Sequence, residues 1–319
     1  MGLFLGLTLS APLIGIEVKT EAELETALAE LKPGMVIQMA PGEWAGLDLL
    51  IKAEGTAEAP VILEAAQPGT VRLTGQTSLR LEGSHIQVRG LHFHGAVPPA
   101  GREALIALRS EAGKTARNCR LTELWFERCN PEDPLRNYPW IRMYGKAHRV
   151  DHSRFEGQAH RGLAIQIRVY DPSPGHRIDH NHFLDRLPGE MSNGYEIIQI
   201  GLSGDSFKPG EVLIERNIFE RCDGETEIIS SKSFSNLIRN NLFLHSSGSI
   251  TLRHGDRGSV IDNAFIGGHK AGTGGVRVVG EGNLVQGNSF QELTGRTGAV
   301  VVFYCGIPDS PLVGYFPAD

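Results

Sequence analysis

Residues 240–243 read NNLF, a four-residue phrase that recurs along most of the chain and decides the fold. Its other copies read GLHF, ELWF, HSRF, HNHF, RNIF, DNAF and GNSF, so every copy ends on a phenylalanine. The phenylalanines that close the copies are Phe93, Phe126, Phe155, Phe183, Phe219, Phe243, Phe265 and Phe290. The phrase thus returns at intervals of roughly 20–40 residues, which is typical of stacked structural units, none of which buries its apolar face alone.

The segments between the copies contain short alternating runs, such as VRLTG, LRLEG and IQVRG, and no helical period. The lack of helices disfavours βαβ units and leucine-rich repeats, and propeller blades need longer periods and a closed ring. We therefore predict an all-β fold, a right-handed parallel β-helix with about three short strands per coil. Unrelated β-hairpins with a chance phenylalanine spacing are the alternative.

An asparagine stands two residues before the phenylalanine in five of the copies. Asparagine tolerates the left-handed backbone bend between strands, and its amide can bond the equivalent amide of the next coil. We expect an internal asparagine ladder beside a stack of phenylalanine rings. The ladder residues are Asn181, Asn217, Asn241, Asn263 and Asn288.

The N-terminal part of the chain differs from the repeats. Residues 20–34 predict one helix, with Thr20 and Glu23 as a capping box, and this helix would cover the open end of the first coil. Residues 1–17 fit either a signal peptide or a first strand, since they are apolar but lack an early basic residue. Residues 18–319 form a single β-helix domain in this interpretation.

Composition limits the function. The formal net charge of −6 argues against a general nucleic-acid binder, although a local basic groove can coexist with it. No segment after the N-terminus is long and apolar enough to span a membrane. The four cysteines lack a CxxC spacing, which indicates buried thiols rather than a zinc site, with a Cys119–Cys129 disulfide left open.

The candidate site begins in DGETEIISSKS, residues 223–233. On a strand, Glu225 and Glu227 would point to the same face, where their charges repel each other. Asn193 and Glu196 occupy a similar place one coil earlier. Three carboxylates and an amide oxygen are hard oxygen ligands that suit Ca²⁺.

Two cations follow the acids. Lys232 lies near the end of the same stretch, and Arg253 stands on the next coil. Each of these charges alone fits a solvated face with counter-ions, but their joint occurrence on consecutive coils favours a site.

The motifs resemble those of polysaccharide lyase family six, the family of alginate lyases and chondroitinase B. The resemblance is carried by NGYEIIQIG, FERCDGETEIISSKS, NNLFLHSSGSITLRHG and GTGGVRV, and it extends over nearly the whole chain after about residue 17. It implies a secreted or periplasmic, Ca²⁺-dependent β-helical lyase that cleaves an anionic polysaccharide by β-elimination. Alginate is the substrate that the resemblance favours, and dermatan sulfate is the alternative.

The resemblance also implies roles for individual residues. It places Ca²⁺ on Asn193, Glu196, Glu225 and Glu227, with Lys232 as catalytic base and Arg253 as acid. The remaining implied residues line the substrate groove, namely His254, Arg168 and Arg277.

Two departures from the family pattern bear on these expectations. Gln199 replaces an arginine that relatives commonly carry, which concerns substrate contacts. The chain stops at SPLVGYFPAD, residues 310–319, where relatives continue for several coils, so we expect a C-terminal end without its usual cap or covered by another subunit. A β-helical glycoside hydrolase and a non-catalytic carbohydrate-binding solenoid are the alternatives from other classes, and the Lys–Arg pair argues against the hydrolase.

Overall fold

The computed structural model describes residues 14–170, 172–189, 193–295 and 300–303. Within these residues the chain forms one α-helix, α1 (Glu21–Ala29), one short 3-10 helix (Ser203–Asp205) and 32 strands, many of them only three residues long.

The strands follow one another in chain order with short connections. The first ten are β1 (Ile14–Val18), β2 (Met35–Met39), β3 (Gly42–Ala45), β4 (Asp48–Glu54), β5 (Val61–Ala65), β6 (Val71–Thr74), β7 (Ser78–Ser84), β8 (Ile86–Arg89), β9 (Leu91–His94) and β10 (Ile106–Ala107). The middle group is β11 (Ala116–Arg117), β12 (Arg120–Thr122), β13 (Trp125–Glu127), β14 (Ile141–Met143), β15 (Arg149–Asp151), β16 (Arg154–Glu156), β17 (Ile165–Ile167), β18 (Arg177–Asp179), β19 (His182–Arg186), β20 (Ile198–Ile200) and β21 (Leu213–Glu215). The last group is β22 (Ile218–Cys222), β23 (Glu227–Lys232), β24 (Leu237–Arg239), β25 (Leu242–Leu244), β26 (Gly248–His254), β27 (Ser259–Ile261), β28 (Ala264–Ile266), β29 (Thr273–Val278), β30 (Leu284–Gln286), β31 (Ser289–Gln291) and β32 (Val301–Phe303).

These strands stack into three parallel sheets, and from β12 onward each coil adds one strand to each sheet. Sheet 1 has the order β1-β2-β5-β8-β12-β15-β18-β21-β24-β27-β30, and sheet 3 has the order β3-β6-β9-β13-β16-β19-β22-β25-β28-β31. Sheet 2 has the order β11-β7-β10-β14-β17-β20-β23-β26-β29-β32, with β4 paired to β7. This architecture confirms the predicted parallel β-helix.

The asparagine ladder is present as predicted. The amide of Asn181 donates to Asn217, that of Asn217 to Asn241 and that of Asn241 to Asn263 at 3.0 Å each, and Asn263 donates to Asn288 at 2.9 Å. The amide oxygens also accept from the backbone N–H of the preceding ladder residue, for example from Asn217 N to Asn241 at 3.0 Å. The ladder therefore ties each coil to the next.

The left-handed bend lies one residue before the ladder asparagine and not on it, so its predicted position was wrong. Asn240 has φ 54° and Arg216 has φ 55°, and both stand directly before a ladder residue. The bend turns the chain between sheets, and the following side chain then points inward to the ladder.

The phenylalanines of the phrase stack in the core. Adjacent ring centroids lie 4.6 to 5.1 Å apart along the column from Phe93 to Phe290. The alignment fixes the register of the three sheets, because one misplaced coil would break the column.

Helix α1 is shorter than the predicted helix. Thr20 caps it by accepting the Glu23 N–H at 3.2 Å, while the Glu23 carboxylate accepts the Lys19 N–H at 2.7 Å, one residue earlier than in a capping box. The helix ends at Ala29 because the chain turns toward β2 there, and Pro33 further on cannot donate a helical hydrogen bond. Leu24 is buried against the first coil, as expected of a cap.

The remaining expectations concern cysteines and chain ends. Cys119, Cys129 and Cys222 are buried free thiols, so the open Cys119–Cys129 disulfide does not form. Cys305, residues 1–13 and the terminal segment 310–319 lie outside the described residues. Among the residues that are described, no helix is long and apolar enough to cross a membrane.

Candidate active site

The stretch 223–233 is not wholly a strand. Glu227 opens β23, but Glu225 lies in the bend before it, so the two carboxylates do not share a strand face. The bend packs tightly against the preceding coil at Gly224, where an added Cβ would come within 2.1 Å of the Tyr195 carbonyl oxygen. Only glycine allows this close approach. The bend thereby brings Glu225 toward the preceding coil.

The preceding coil supplies Glu196, a buried residue just ahead of β20. The register pairs Ile198 with Ile229, and continuing it back sets Glu196 level with Glu227 rather than with Glu225. The bend nevertheless returns Glu225 to the same place. Carboxylate oxygens of Glu196, Glu225 and Glu227 all lie within 4.8 Å of one another.

Two carboxylate oxygens of this acidic cluster, one of Glu196 and one of Glu225, are buried without a hydrogen-bond partner among the described residues. Burial raises the pKa of Glu225, and the neighbouring carboxylates of Glu196 and Glu227 raise it further. Unpartnered buried carboxylate oxygens are what a hard cation would satisfy, so the cluster fits Ca²⁺. Asn193, the fourth predicted ligand, is exposed in the loop before Glu196.

Lys232 lies at the edge of the acidic cluster. Its ammonium nitrogen is 3.7 Å from Glu196 Oε1, and its side chain is only 11% exposed. The residue paired with Lys232 on the next coil is His254, and a bulge between Ser231 and Lys232 leaves Arg253 as the extra residue. Arg253 reaches back instead, with its guanidinium 3.6 Å from Glu227 Oε1.

The other predicted groove residues are distributed along sheet 2. Arg277, two coils beyond Glu227, hydrogen-bonds that carboxylate. Arg168 follows β17, and the register from Ile167 through Ile200 to Ser231 places it two coils before Lys232, about 10 Å along the stack. His254 is buried beside Lys232. The structure therefore brings together the three glutamates, both proposed catalytic residues, His254 and Arg277, whereas the backbone of Arg168 lies two coils before Lys232.

Gln199, which the resemblance marked as a departure from the family pattern, contacts the acidic cluster. Its amide nitrogen donates to Glu196 Oε1 at 3.2 Å, and its oxygen accepts from Gln166 at 3.0 Å. The chain of two amides holds the Glu196 carboxylate in place without adding a charge.

Sequence reasoning missed Arg186, a fully buried residue behind the site. Its guanidinium donates to four backbone carbonyls, among them those of Gln158 and Gly162 at 3.0 Å and of Tyr195 at 3.2 Å. Desolvation lowers its pKa to about 10. Arg186 thus fixes the loop that precedes Glu196, but it lies outside the phrase and no pattern in the sequence marks it.

Taken together, the fold and the site define a class: a parallel β-helix that carries a buried carboxylate cluster with a lysine and an arginine beside it. The sequence profile described as Chondroitinase B matches residues 18–318. The chain belongs to this family, polysaccharide lyase family six. No curated protein matches the chain at a significant level.

Solved structures of the family are similar over most of this chain. The PL6 alginate lyase AlyGC shares 36% identity with a TM-score of 0.88 over 94% of this chain and 42% of its own. A mannuronic acid-specific family 6 lyase from human gut microbiota shares 29% identity, with a TM-score of 0.84 over 88% of this chain and 65% of its own. A PL6 alginate lyase in complex with a trisaccharide shares 28% identity, with a TM-score of 0.76 over 86% of this chain and 59% of its own. The chain thus spans less than two thirds of the length of each relative.

Proposed function

We propose that this protein is a Ca²⁺-dependent polysaccharide lyase that cleaves alginate by β-elimination. The observation that carries the proposal is the acidic cluster of Glu196, Glu225 and Glu227, with unpartnered buried oxygens, next to Lys232 and Arg253. Two of the similar structures are described as alginate lyases, and one of these holds a trisaccharide.

The metal would be held by the three glutamates together with Asn193. A Ca²⁺ ion held there would neutralise the uronate carboxylate and stabilise the negative charge that develops when the C5 proton is removed. The glutamates supply charged oxygen ligands, and Gln199 keeps Glu196 oriented toward the site.

Lys232 acts as the base that removes the C5 proton. A lysine accepts a proton only as the neutral amine, and its ammonium here lies 3.7 Å from Glu196 Oε1. With Glu196 bound to a metal, the Lys232 amine would lie between the metal site and the substrate, where it can reach the C5 proton. The side chain of Lys232 is little exposed, so few water molecules reach the amine that is to take the C5 proton.

Arg253 faces the leaving-group side of the reaction. Its side chain is 36% exposed and anchored to Glu227, so its guanidinium is directed and still accessible to a polymer. Guanidinium holds its proton tightly, and we therefore assign Arg253 to charge stabilisation on the leaving O4. The proton itself comes from His254 or from water.

The proposal places the enzyme where its substrate is, outside the cytoplasm, because a long anionic polymer does not cross a membrane. Dermatan sulfate is the second candidate substrate, favoured by the match to the Chondroitinase B profile.

A panel of alginate, mannuronate blocks, guluronate blocks and dermatan sulfate tests the proposal. Elimination creates a double bond that absorbs ultraviolet light, whereas a hydrolase leaves new reducing ends without absorbance and a binding module leaves the polymer intact. We expect absorbing product from alginate, and its loss on addition of a calcium chelator.

Replacing the base gives the sharpest test of mechanism. Lys232→Ala should abolish turnover while retaining the thermal unfolding midpoint and alginate binding, because the residue lies at a strand end outside the core. Lys19→Ala, which removes an exposed lysine near α1, is the control and should be fully active. Near-normal activity of Lys232→Ala would refute the assignment of the base.

A further inference from the structure

A second group of metal-ligating side chains lies on sheet 3, away from the acidic cluster. His92 and His94 are two residues apart on β9, so both point to the same outer face. The next coil brings Glu127, the last residue of β13, directly opposite His94. One ligand atom from each of the three side chains lies within 4.8 Å of the others.

The three side chains converge on one point. His92 Nε2 is 3.0 Å and His94 Nδ1 is 2.6 Å from the same atom, Glu127 Oε2. Tetrahedral zinc with bonds of about 2.0–2.1 Å needs ligand atoms about 3.3 Å apart, which small side-chain rotations achieve from these distances. Two imidazoles and one carboxylate are a ligand set that zinc uses in proteins.

The surroundings hold the ligands in place. The His92 ring stacks on Trp125 with centroids 3.9 Å apart and an angle of 3° between the planes. His94 is 40% exposed, so the approach to the three ligand atoms is open to solvent and leaves room for a fourth, water ligand.

The charged neighbours also permit a cation. The sheet order places Arg72, on β6, on the side of His92 that faces away from Glu127. Arg154 on the other side is bound to Glu156 at 2.7 Å. In the described part of the chain the hydrogen bonds of Glu127 come from the two histidines and not from these guanidinium groups, so the carboxylate remains the dominant charge among the three ligands.

We propose that His92, His94 and Glu127 form a Zn²⁺ site that links two consecutive coils of the β-helix. The site is separate from the acidic cluster, which lies on sheet 2 and consists of oxygen ligands for a hard cation. Imidazole ligands favour zinc over calcium, so the two sites select different metals. Zinc at this site stabilises the fold and takes no part in elimination.

The test is Zn²⁺ titration of the full chain against a chromophoric chelator, in excess Ca²⁺ so that the acidic cluster is occupied. We expect one zinc ion per chain, and a loss of affinity of about tenfold or more in His94→Ala, because a direct ligand is removed. His182→Ala is the matched control, since His182 bonds Glu220 at 2.9 Å on the same sheet but belongs to no set of three ligands among the described residues. Its zinc affinity should be unchanged.

Two further measurements keep the result decisive. Co²⁺ bound to the protein should show tetrahedral absorption without a thiolate charge-transfer band, which separates this site from any cysteine. Zn²⁺ should raise the unfolding midpoint of the parent but not that of His94→Ala. Should His94→Ala fail to fold, Glu127→Gln, of nearly equal shape, replaces it. Zinc affinity that is unchanged in His94→Ala would overturn the proposal, and so would an equal loss of zinc affinity in His182→Ala. The three side chains would then be only a hydrogen-bonded triad. Lyase activity should be the same in the parent and in His94→Ala.

Discussion

The asparagine ladder makes a quantitative prediction for Asn241→Ala. The Asn241 side chain takes part in five hydrogen bonds, all of 3.0 Å: it donates to Asn263, Ile214 and Arg239, and it accepts from the backbone N–H and the side-chain amide of Asn217. The residue is buried, so water cannot replace these bonds without opening the core.

The cost follows from which groups lose their partner. The Asn217 side-chain amide keeps its bond to Ile178 O, and Asn263 Oδ1 keeps the bond from the Asn241 backbone N–H. The Asn217 backbone N–H, in contrast, has no other acceptor among the hydrogen bonds of the described residues. Stranding one buried donor costs about 1–3 kcal/mol, and the partly lost bonds add to it, so we expect a loss of about 3 kcal/mol in the free energy of unfolding.

The assay is equilibrium denaturation of the parent, Asn241→Ala and Asn288→Ala, followed by circular dichroism. Asn288 is the matched control, because it accepts the same two bonds from Asn263 but is only partly buried. Water can take over its partners, and the expected loss is about 1 kcal/mol. Equal losses in the two variants would refute the reasoning, since burial of the amide would then not decide the cost.

The other predictions concern the acidic cluster. Glu225→Gln and Glu227→Gln should each lower activity because each removes one charged ligand, and added Ca²⁺ should partly restore it. If activity does not rise in a calcium titration of these variants, the ligand assignment is wrong. The pKa of Glu225 is raised, so Ca²⁺ must displace a proton from this carboxyl group when it binds. Calcium affinity measured by calorimetry should therefore increase as the pH is raised toward and past neutrality. An affinity that does not change with pH would contradict the assignment of Glu225 as a ligand. Gly224→Ala should weaken calcium binding at least as much as Glu225→Gln, because the new Cβ collides with the Tyr195 carbonyl; normal binding would show that the bend can shift at no cost.

The fold was predictable because its signal is repeated. Each copy of the phrase places a phenylalanine in the core and, in five copies, an asparagine in the ladder, so that a register error in one copy is corrected by the others. The bend was assigned to the ladder asparagine because asparagine tolerates a left-handed backbone, whereas the structure places it on the preceding residue, which is Asn240 in one copy and Arg216 in another.

The acidic cluster was predictable only in outline. The spacing of Glu196 and Glu225 located the right coils, but the strands align Glu196 with Glu227, and the bend at Gly224 makes up the difference. Bulges and bends of this kind depend on packing between coils, which no single segment encodes. The proposed zinc ligands, by comparison, occupy fixed positions around the phrase: the two histidines flank Phe93, and Glu127 follows Phe126. An alignment of the copies of the phrase therefore shows that these three side chains lie close together, which the single copies do not show.

The charge balance of the candidate site connects the proposed Ca²⁺ to the binding of a polyanion. Before Ca²⁺ binds, the glutamates lie beside three cations, Lys232, Arg253 and Arg277. A divalent cation held by the glutamates would add two positive charges and displace the proton of Glu225, so the patch would become more positive and attract an anionic polymer more strongly. The attraction of Arg253 and Arg277 to Glu227 is then weaker, and both become better partners for substrate carboxylates. In this arrangement the proposed calcium ligands and the proposed substrate-binding arginines cannot act independently, because Glu227 belongs to the acidic cluster and also pairs with Arg253 and Arg277.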